Sequence, residues 1–302
     1  FQLYTMDNEL RKLITKNNLS CKKITLKNNV RIINTPKGTF AIKKKTSKNI
    51  NNVYKYLKSR AFDYFPEKVD ENDEYEIYEY IDDIDEPNEQ KAIDIMYVLS
   101  LLHNKTTFYK EVDFDYYKEI YENVNYRLEY LYNYYNDIIA IIEKDVYMSP
   151  SNYLIARNIT KVYETIKFCQ DGIEKWYELI KDKKRMRVAT IHNNVCIDHI
   201  LKKDKPYLIS WNKNKTDMPI YDLLCFYKNH YLDFDFIDLF HIYESRYLLL
   251  EEEKLLLFIL IAIPDKLELN DTEYNLCVKS SHFFDYLYKS ENLITTYDQP
   301  KH

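Results

Sequence analysis

The sequence predicts an α+β protein, and three observations carry that prediction. Residues 1–81 contain short apolar, partly alternating runs set off by turn residues, the pattern of strands. After Asn88 the apolar residues recur at helical spacing. Between Val188 and Leu223 an apolar run, a polar loop and a hairpin interrupt the helices. The chain of 302 residues therefore reads as a small β-rich part (1–81), a linker (82–87) and a helical part (88–302) that holds the 188–223 stretch.

Residues Asp7 to Asn18 give a short amphipathic helix with Leu10, Leu13 and Ile14 on one face. Strands follow at Ile24–Leu26 and Val30–Ile33, joined by a turn at Lys27-Asn28-Asn29. Thr35-Pro36-Lys37-Gly38 turns the chain into a third strand, Thr39–Lys43. A helix over Asn51–Phe62 presents Val53, Tyr56, Leu57 and Ala61. Phe65–Val69 and Tyr75–Ile81 complete a five-stranded sheet, and Asp82–Pro87 leaves it as the linker.

In the second part, Ala92, Ile93, Met96, Leu99 and His103 mark one helix, with His103 packed. Asp113 or Asp115 caps a long one running from Tyr117 to Ile142. Ser149-Pro150 is a cap and first-position pair for another through Phe168, with Gly172 expected to interrupt it before Ile173–Ile180. The basic run Lys181–Arg187 reads as a solvated connector. After Asp222, helices are expected over Leu223–Tyr227, Leu232–Phe240 and Tyr243–Leu250, and a buried one over Leu255–Ile263. Asp233, Asp235 and Asp238 lack the glycine and terminal glutamate of a calcium loop and read as surface.

Composition bounds the function. A net charge of -5 gives no reason to expect nucleic acid. The 5 cysteines (Cys21, Cys169, Cys196, Cys225, Cys277) form no C-x-x-C pair, which argues for reduced thiols, a cytoplasmic setting and no zinc site. No signal peptide is visible, and the longest apolar run, Leu255–Ile263, is too short for a membrane span. The 31 tyrosines accompany abundant Lys, Asn and Ile, as in AT-rich coding sequence, before they imply any binding role.

The chemistry concentrates in the 188–223 stretch. A buried strand, Val188–Ile191, leads into the loop His192-Asn193-Asn194-Val195-Cys196-Ile197-Asp198-His199. Ile200-Leu201 and Tyr207–Ile209 form a hairpin that delivers Ser210-Trp211-Asn212, and Pro219 with Tyr221-Asp222-Leu223 opens the next helix. This layout resembles the catalytic core of the aminoglycoside phosphotransferase and kinase-like family, including its spore-coat branch. There the loop reads His-x-Asp-x-x-x-x-Asn, the hairpin ends in Ile-Asp-Trp or Ile-Asp-Phe, and a Pro-x-x-Asp-Leu type helix start follows. The resemblance implies a two-lobed protein-kinase-like fold. It puts His192 at the loop histidine, Asn194 at the catalytic aspartate, His199 at the metal-binding asparagine, Ser210 at the metal-binding aspartate and Asp222 at the helix start.

It also implies that Lys43, in Ala41-Ile42-Lys43, pairs with nucleotide phosphates, and that the backbone around Glu79, Tyr80 and Ile81 meets an adenine ring. No glycine lies between residues 22 and 37 to cradle phosphate, and the helix over Asn51–Phe62 has no acidic residue to hold the lysine. Phosphoryl transfer needs a carboxylate near the attacking hydroxyl and anionic oxygens around magnesium. Asn194 and Ser210 are neutral, and His199 offers nitrogen. The departures weigh against ATP with magnesium. The leading expectation is a pseudokinase that binds a protein partner or a small molecule. The alternative is an active small-molecule phosphotransferase in which Asp198 replaces the missing base, with Asp217 nearby. Metal chemistry through His192 and His199 would need a third ligand that the sequence does not mark.

Overall fold

The structure, a computed structural model, describes residues 8–19, 23–27, 30–46 and 50–297. Asp7, Cys21 and the Asn28-Asn29 turn lie outside the described residues. In chain order the elements are α1 (Asn8–Lys16), β1 (Lys23–Lys27), β2 (Val30–Thr35), β3 (Gly38–Lys44), α2 (Ile50–Ser59), β4 (Lys68–Glu71), β5 (Tyr75–Glu79), α3 (Asn88–Thr106), β6 (Phe108–Glu111), α4 (Phe114–Ile142), α5 (Pro150–Ile180), β7 (Arg185–Ile191), β8 (Ile200–Lys202), β9 (Pro206–Leu208), β10 (Lys215–Asp217), α6 (Ile220–His230), α7 (Phe236–Glu244), α8 (Glu251–Ala262) and α9 (Glu273–Tyr297). Packing divides the chain into two compact units. One runs to Thr106 and includes His192–Lys215; the other comprises Thr107–Ile191 and everything from Thr216 on.

The first unit is built on an antiparallel sheet in the order β1-β2-β3-β5-β4. Strand alternation separates its faces. Ile33, Ile42, Tyr75 and Ile77 join Leu10, Leu13 and Ile14 of α1 in one apolar cluster. The opposite face carries Ile32, Ala41 and Tyr78, paired in register. There Tyr54 of α2 stacks on Phe65 at 4.3 Å and meets Tyr78 edge-on at 6.4 Å. Trp211, fully buried, sits edge-on to Tyr54, Phe62 and Phe65, and so ties the loop to this face.

The sequence places a boundary at 82–87, whereas packing groups α3 and the β8–β9 hairpin with the sheet. The reason is local hydrogen bonding. Ile84 N–H donates to the Lys202 carbonyl at 2.8 Å, Lys202 N–H to Asp83 at 2.7 Å, and Leu208 N–H to the Tyr64 carbonyl at 2.8 Å. The Lys202 ammonium pairs with Asp94 of α3.

The second unit is mainly helical, with α5 packed against α4, α8 and α9. Ser149 caps α5 as its sequence predicts, accepting from Asn152 N–H at 3.3 Å. Asp113 takes the N-cap position of α4 without a side-chain bond. Gly172 does not break α5. It lies inside the helix where an added Cβ would stand 2.9 Å from Ile259 of α8, so the residue serves a close helix approach. The stretch after Asn88 is also not wholly helical. β6 pairs with β7, register Phe108↔Val188 to Glu111↔Arg185, so Arg185 and Arg187 are strand residues and not connector. Residues 245–250 separate α7 from α8 in place of the expected Tyr243–Leu250 helix, and Asp235 caps α7 through Ile237 N–H at 2.9 Å. Among the described residues, no helix is long and apolar enough to cross a membrane.

Candidate nucleotide and phosphate site

The 192–215 segment belongs wholly to the first unit, and hydrogen bonds fix its shape. His192 is fully buried; its Nε2 donates to the Ile209 carbonyl at 2.8 Å, and its ring meets Trp211 edge-on at 4.9 Å. Asn193 has φ 55° and donates to the Lys213 carbonyl at 3.1 Å. His199 Nδ1 donates to the Asn194 carbonyl at 2.6 Å, while the Asn194 amide reaches the Ser210 carbonyl at 3.5 Å. Ser210 is left-handed, φ 65° and ψ 44°, a conformation that β-carbon crowding makes unfavourable for serine. Asparagine adopts the left-handed region readily, so the strain in this loop sits at Ser210 and marks that position as over-determined by its surroundings.

The structure thus brings His192, Asn194, His199 and Ser210 into one bonded frame. The His192 and His199 rings lie 6.3 Å apart, centre to centre. Asp198 is exposed on a single 3-10 turn, Ile197–His199. Asp222 is fully buried in the first turn of α6, and Asp217 accepts from Met218 N–H at 2.8 Å; both belong to the second unit. Among the described residues, no group of three or more His, Cys, Asp or Glu is placed to hold a metal ion. An amide, a hydroxyl and an imidazole nitrogen do not make the anionic oxygen set that magnesium takes, so the loop's donors do not fit that ion.

The other expected residue, Lys43, lies in a charge network that the sequence did not reveal. Cross-strand register places it opposite Glu76 on β5. Glu76 is buried and accepts from Lys68 at 2.8 Å and from the Tyr78 hydroxyl at 3.0 Å, with the Lys43 ammonium at 3.9 Å. Lys68 also bonds Asn51 at 2.8 Å and pairs with Glu71, which Lys45 holds at 2.9 Å. Burial would raise the Glu71 carboxyl, but hydrogen bonds from Lys68, Lys45 and Asn51 bring it down to about 2. Burial lowers the Lys43 pKa, Glu76 opposes that shift, and Lys68 adds to it. The acidic partner that helix α2 lacks is therefore supplied by a neighbouring strand. A lone glutamate in the apolar run Tyr75–Tyr78 was the available signal, but only the register shows its partner.

Glu79 and Tyr80 line a cavity of about 830 Å³ with Thr25, Ile32, Asn34, Thr39 and Lys68. Ile81 is buried. Glu79 N–H donates to the Glu67 carbonyl at 2.9 Å and Tyr80 N–H to the Thr39 carbonyl at 3.2 Å.

Comparison of the sequence with protein-family profiles and with curated proteins finds no match. Solved structures do match. An aminoglycoside phosphotransferase from Alicyclobacillus acidocaldarius subsp. acidocaldarius DSM 446 superposes with a TM-score of 0.68 at 10% identity, covering 92% of each chain. The fold is kinase-like. A spectinomycin phosphotransferase in complex with AMP matches at a TM-score of 0.52 and 12% identity, over 96% of this chain and 95% of that one. At such identities the kinase-like likeness concerns the fold and leaves function to the residues.

Proposed function

We propose that this kinase-like chain is a pseudokinase, a phosphotransferase fold kept for binding without phosphoryl transfer. One observation carries the reading. The loop retains a hydrogen-bonded frame that holds Ser210 left-handed, while neutral groups stand where the family resemblance expects both carboxylates. An amide at Asn194 is a very poor proton acceptor, so the attacking hydroxyl would lack its base. The cavity lined by Glu79, Tyr80 and Lys68 supports a binding role.

The reading includes the lobe division 1–81, 82–87 and 88–302, a cytoplasmic setting, and a small molecule or protein as partner. A spore-coat role enters only through the family resemblance. Thermal unfolding with ATP, with and without magnesium, tests it. A ligand at about 100 times its Kd stabilises by roughly 2.7 kcal/mol, a shift of several degrees. The expected result is a shift that magnesium does not enhance, with no phosphate release. Magnesium-dependent turnover that Asp198→Asn abolishes would establish the alternative, an active phosphotransferase with Asp198 as base.

A further inference from the structure

Strand β6 is open on one side. Its sheet runs in the order β10-β7-β6, so among the described residues only β7 pairs with it. Phe108, Tyr109, Lys110 and Glu111 are all exposed, Phe108 at 42% and Tyr109 at 60%. The hydrogen bonds of the ladder fix which backbone groups face outward. Val112 N–H donates to the Lys184 carbonyl at 3.1 Å, one step beyond the Glu111↔Arg185 pair. Bonded and unbonded pairs alternate along antiparallel strands. Phe108 and Lys110 therefore use their backbone groups on β7, while the N–H and C=O of Tyr109 and Glu111 point away from it.

A short edge carrying a lysine is ordinarily guarded against an added strand. Here the charges leave one way in. Outward groups can bond only to outward groups, so two β6 strands related by a two-fold axis centre on Tyr109, Lys110 or Glu111. Centring on Lys110 sets lysine against lysine, and centring on Glu111 sets glutamate against glutamate; both are unfavourable. Centring on Tyr109 pairs the two tyrosines and sets each Lys110 opposite Phe108 of the other copy, a cation beside an aromatic ring. Glu111 meanwhile has Arg185 of its own chain at 3.5 Å. Exposed Leu248 adds apolar surface beside this edge, because Arg187, opposite Tyr109, donates to its carbonyl at 2.9 Å. We propose that β6 is the docking edge for a second copy of this chain, paired antiparallel about a two-fold axis at Tyr109. The dimer uses none of the candidate-site residues, so it stands or falls apart from the pseudokinase reading.

Sedimentation equilibrium on the full chain over a range of concentration tests it. Wild type is expected to reach the mass of two chains. Tyr109→Pro removes only an outward N–H and leaves the β6–β7 ladder its bonds, so the variant should keep the wild-type circular dichroism spectrum and sediment as a monomer. Tyr109→Lys sets two ammonium groups face to face on the axis and should also be monomeric, which decides the question if the proline variant does not fold. Tyr109→Glu alone should be monomeric for the same reason. Mixed with Tyr109→Lys it should dimerise, because the axis then pairs opposite charges. A wild type that stays monomeric throughout overturns the proposal and would turn attention to a strand from another protein. A dimer that survives Tyr109→Pro and Tyr109→Lys overturns the use of β6, and a charge-matched mixture that stays monomeric overturns the axis at Tyr109.

Discussion

Each unit holds a buried ion pair between a strand cation and a carboxylate, and the two pairs are finished differently. In the helical unit, Arg187 of β7 grips Glu253 of α8 through two nitrogens. It also donates to the Leu248 carbonyl at 2.9 Å and lies 4.5 Å from the centre of the Tyr247 ring. Glu253 in turn accepts from Leu250 N–H at 3.0 Å and closes the start of α8. The Nε and Nη2 donors of Arg187 and both Glu253 oxygens thus have partners inside the fold. In the sheet unit, Lys43 stands 3.9 Å from Glu76, whose charge is already claimed by Lys68. A closed pair holds structure together, while a loose one contributes less to the fold.

The largest effect should come from opening the closed pair. Glu253→Gln strands Arg187 as a buried charge and removes its bidentate partner, at a cost of about 3–5 kcal/mol in equilibrium denaturant unfolding. Glu76→Gln should cost less, about 1–2 kcal/mol, because Lys68 retains Asn51 and Glu71. If the two variants proved equally unstable, the distinction between closed and loose would fail. Lys43→Met should leave stability within about 1 kcal/mol of wild type, since so loose a pair contributes little to the fold.

A smaller, pH-dependent signature comes from Glu71. Its carboxyl ordinarily titrates at 4.5 and is held down to about 2 in the fold. Its contribution is therefore complete above pH 4.5 and is lost as the pH falls through about 2. Acid unfolding followed by circular dichroism should show this slope in wild type, and Glu71→Gln should flatten it.

Much of the architecture was legible because it rests on local patterns. The alternation from Val30 to Lys43, the Ser149-Pro150 cap and the apolar run at Leu255 each specify their own element. What escaped depends on distant partners. Gly172 looks like a helix breaker until Ile259 is seen against it. β6 has four exposed residues and no apolar alternation, so only its pairing with β7 identifies it. Helix α9 mixes polar and aromatic residues without a clean stripe, and its presence depends on packing against α5. In the candidate site, the loop residues could be named because the 188–223 stretch resembles a known family pattern. Lys68 and Glu76 could not, because their relation to Lys43 is a matter of register between strands.

The left-handed backbone at Ser210 has a practical side. Aspartate and asparagine tolerate that conformation better than other residues with a β-carbon. Ser210→Asp should therefore be accommodated without a change in the main chain at that position. On the reading proposed above, introducing Asn194→Asp, His199→Asn and Ser210→Asp together should show first as magnesium affinity, before any turnover.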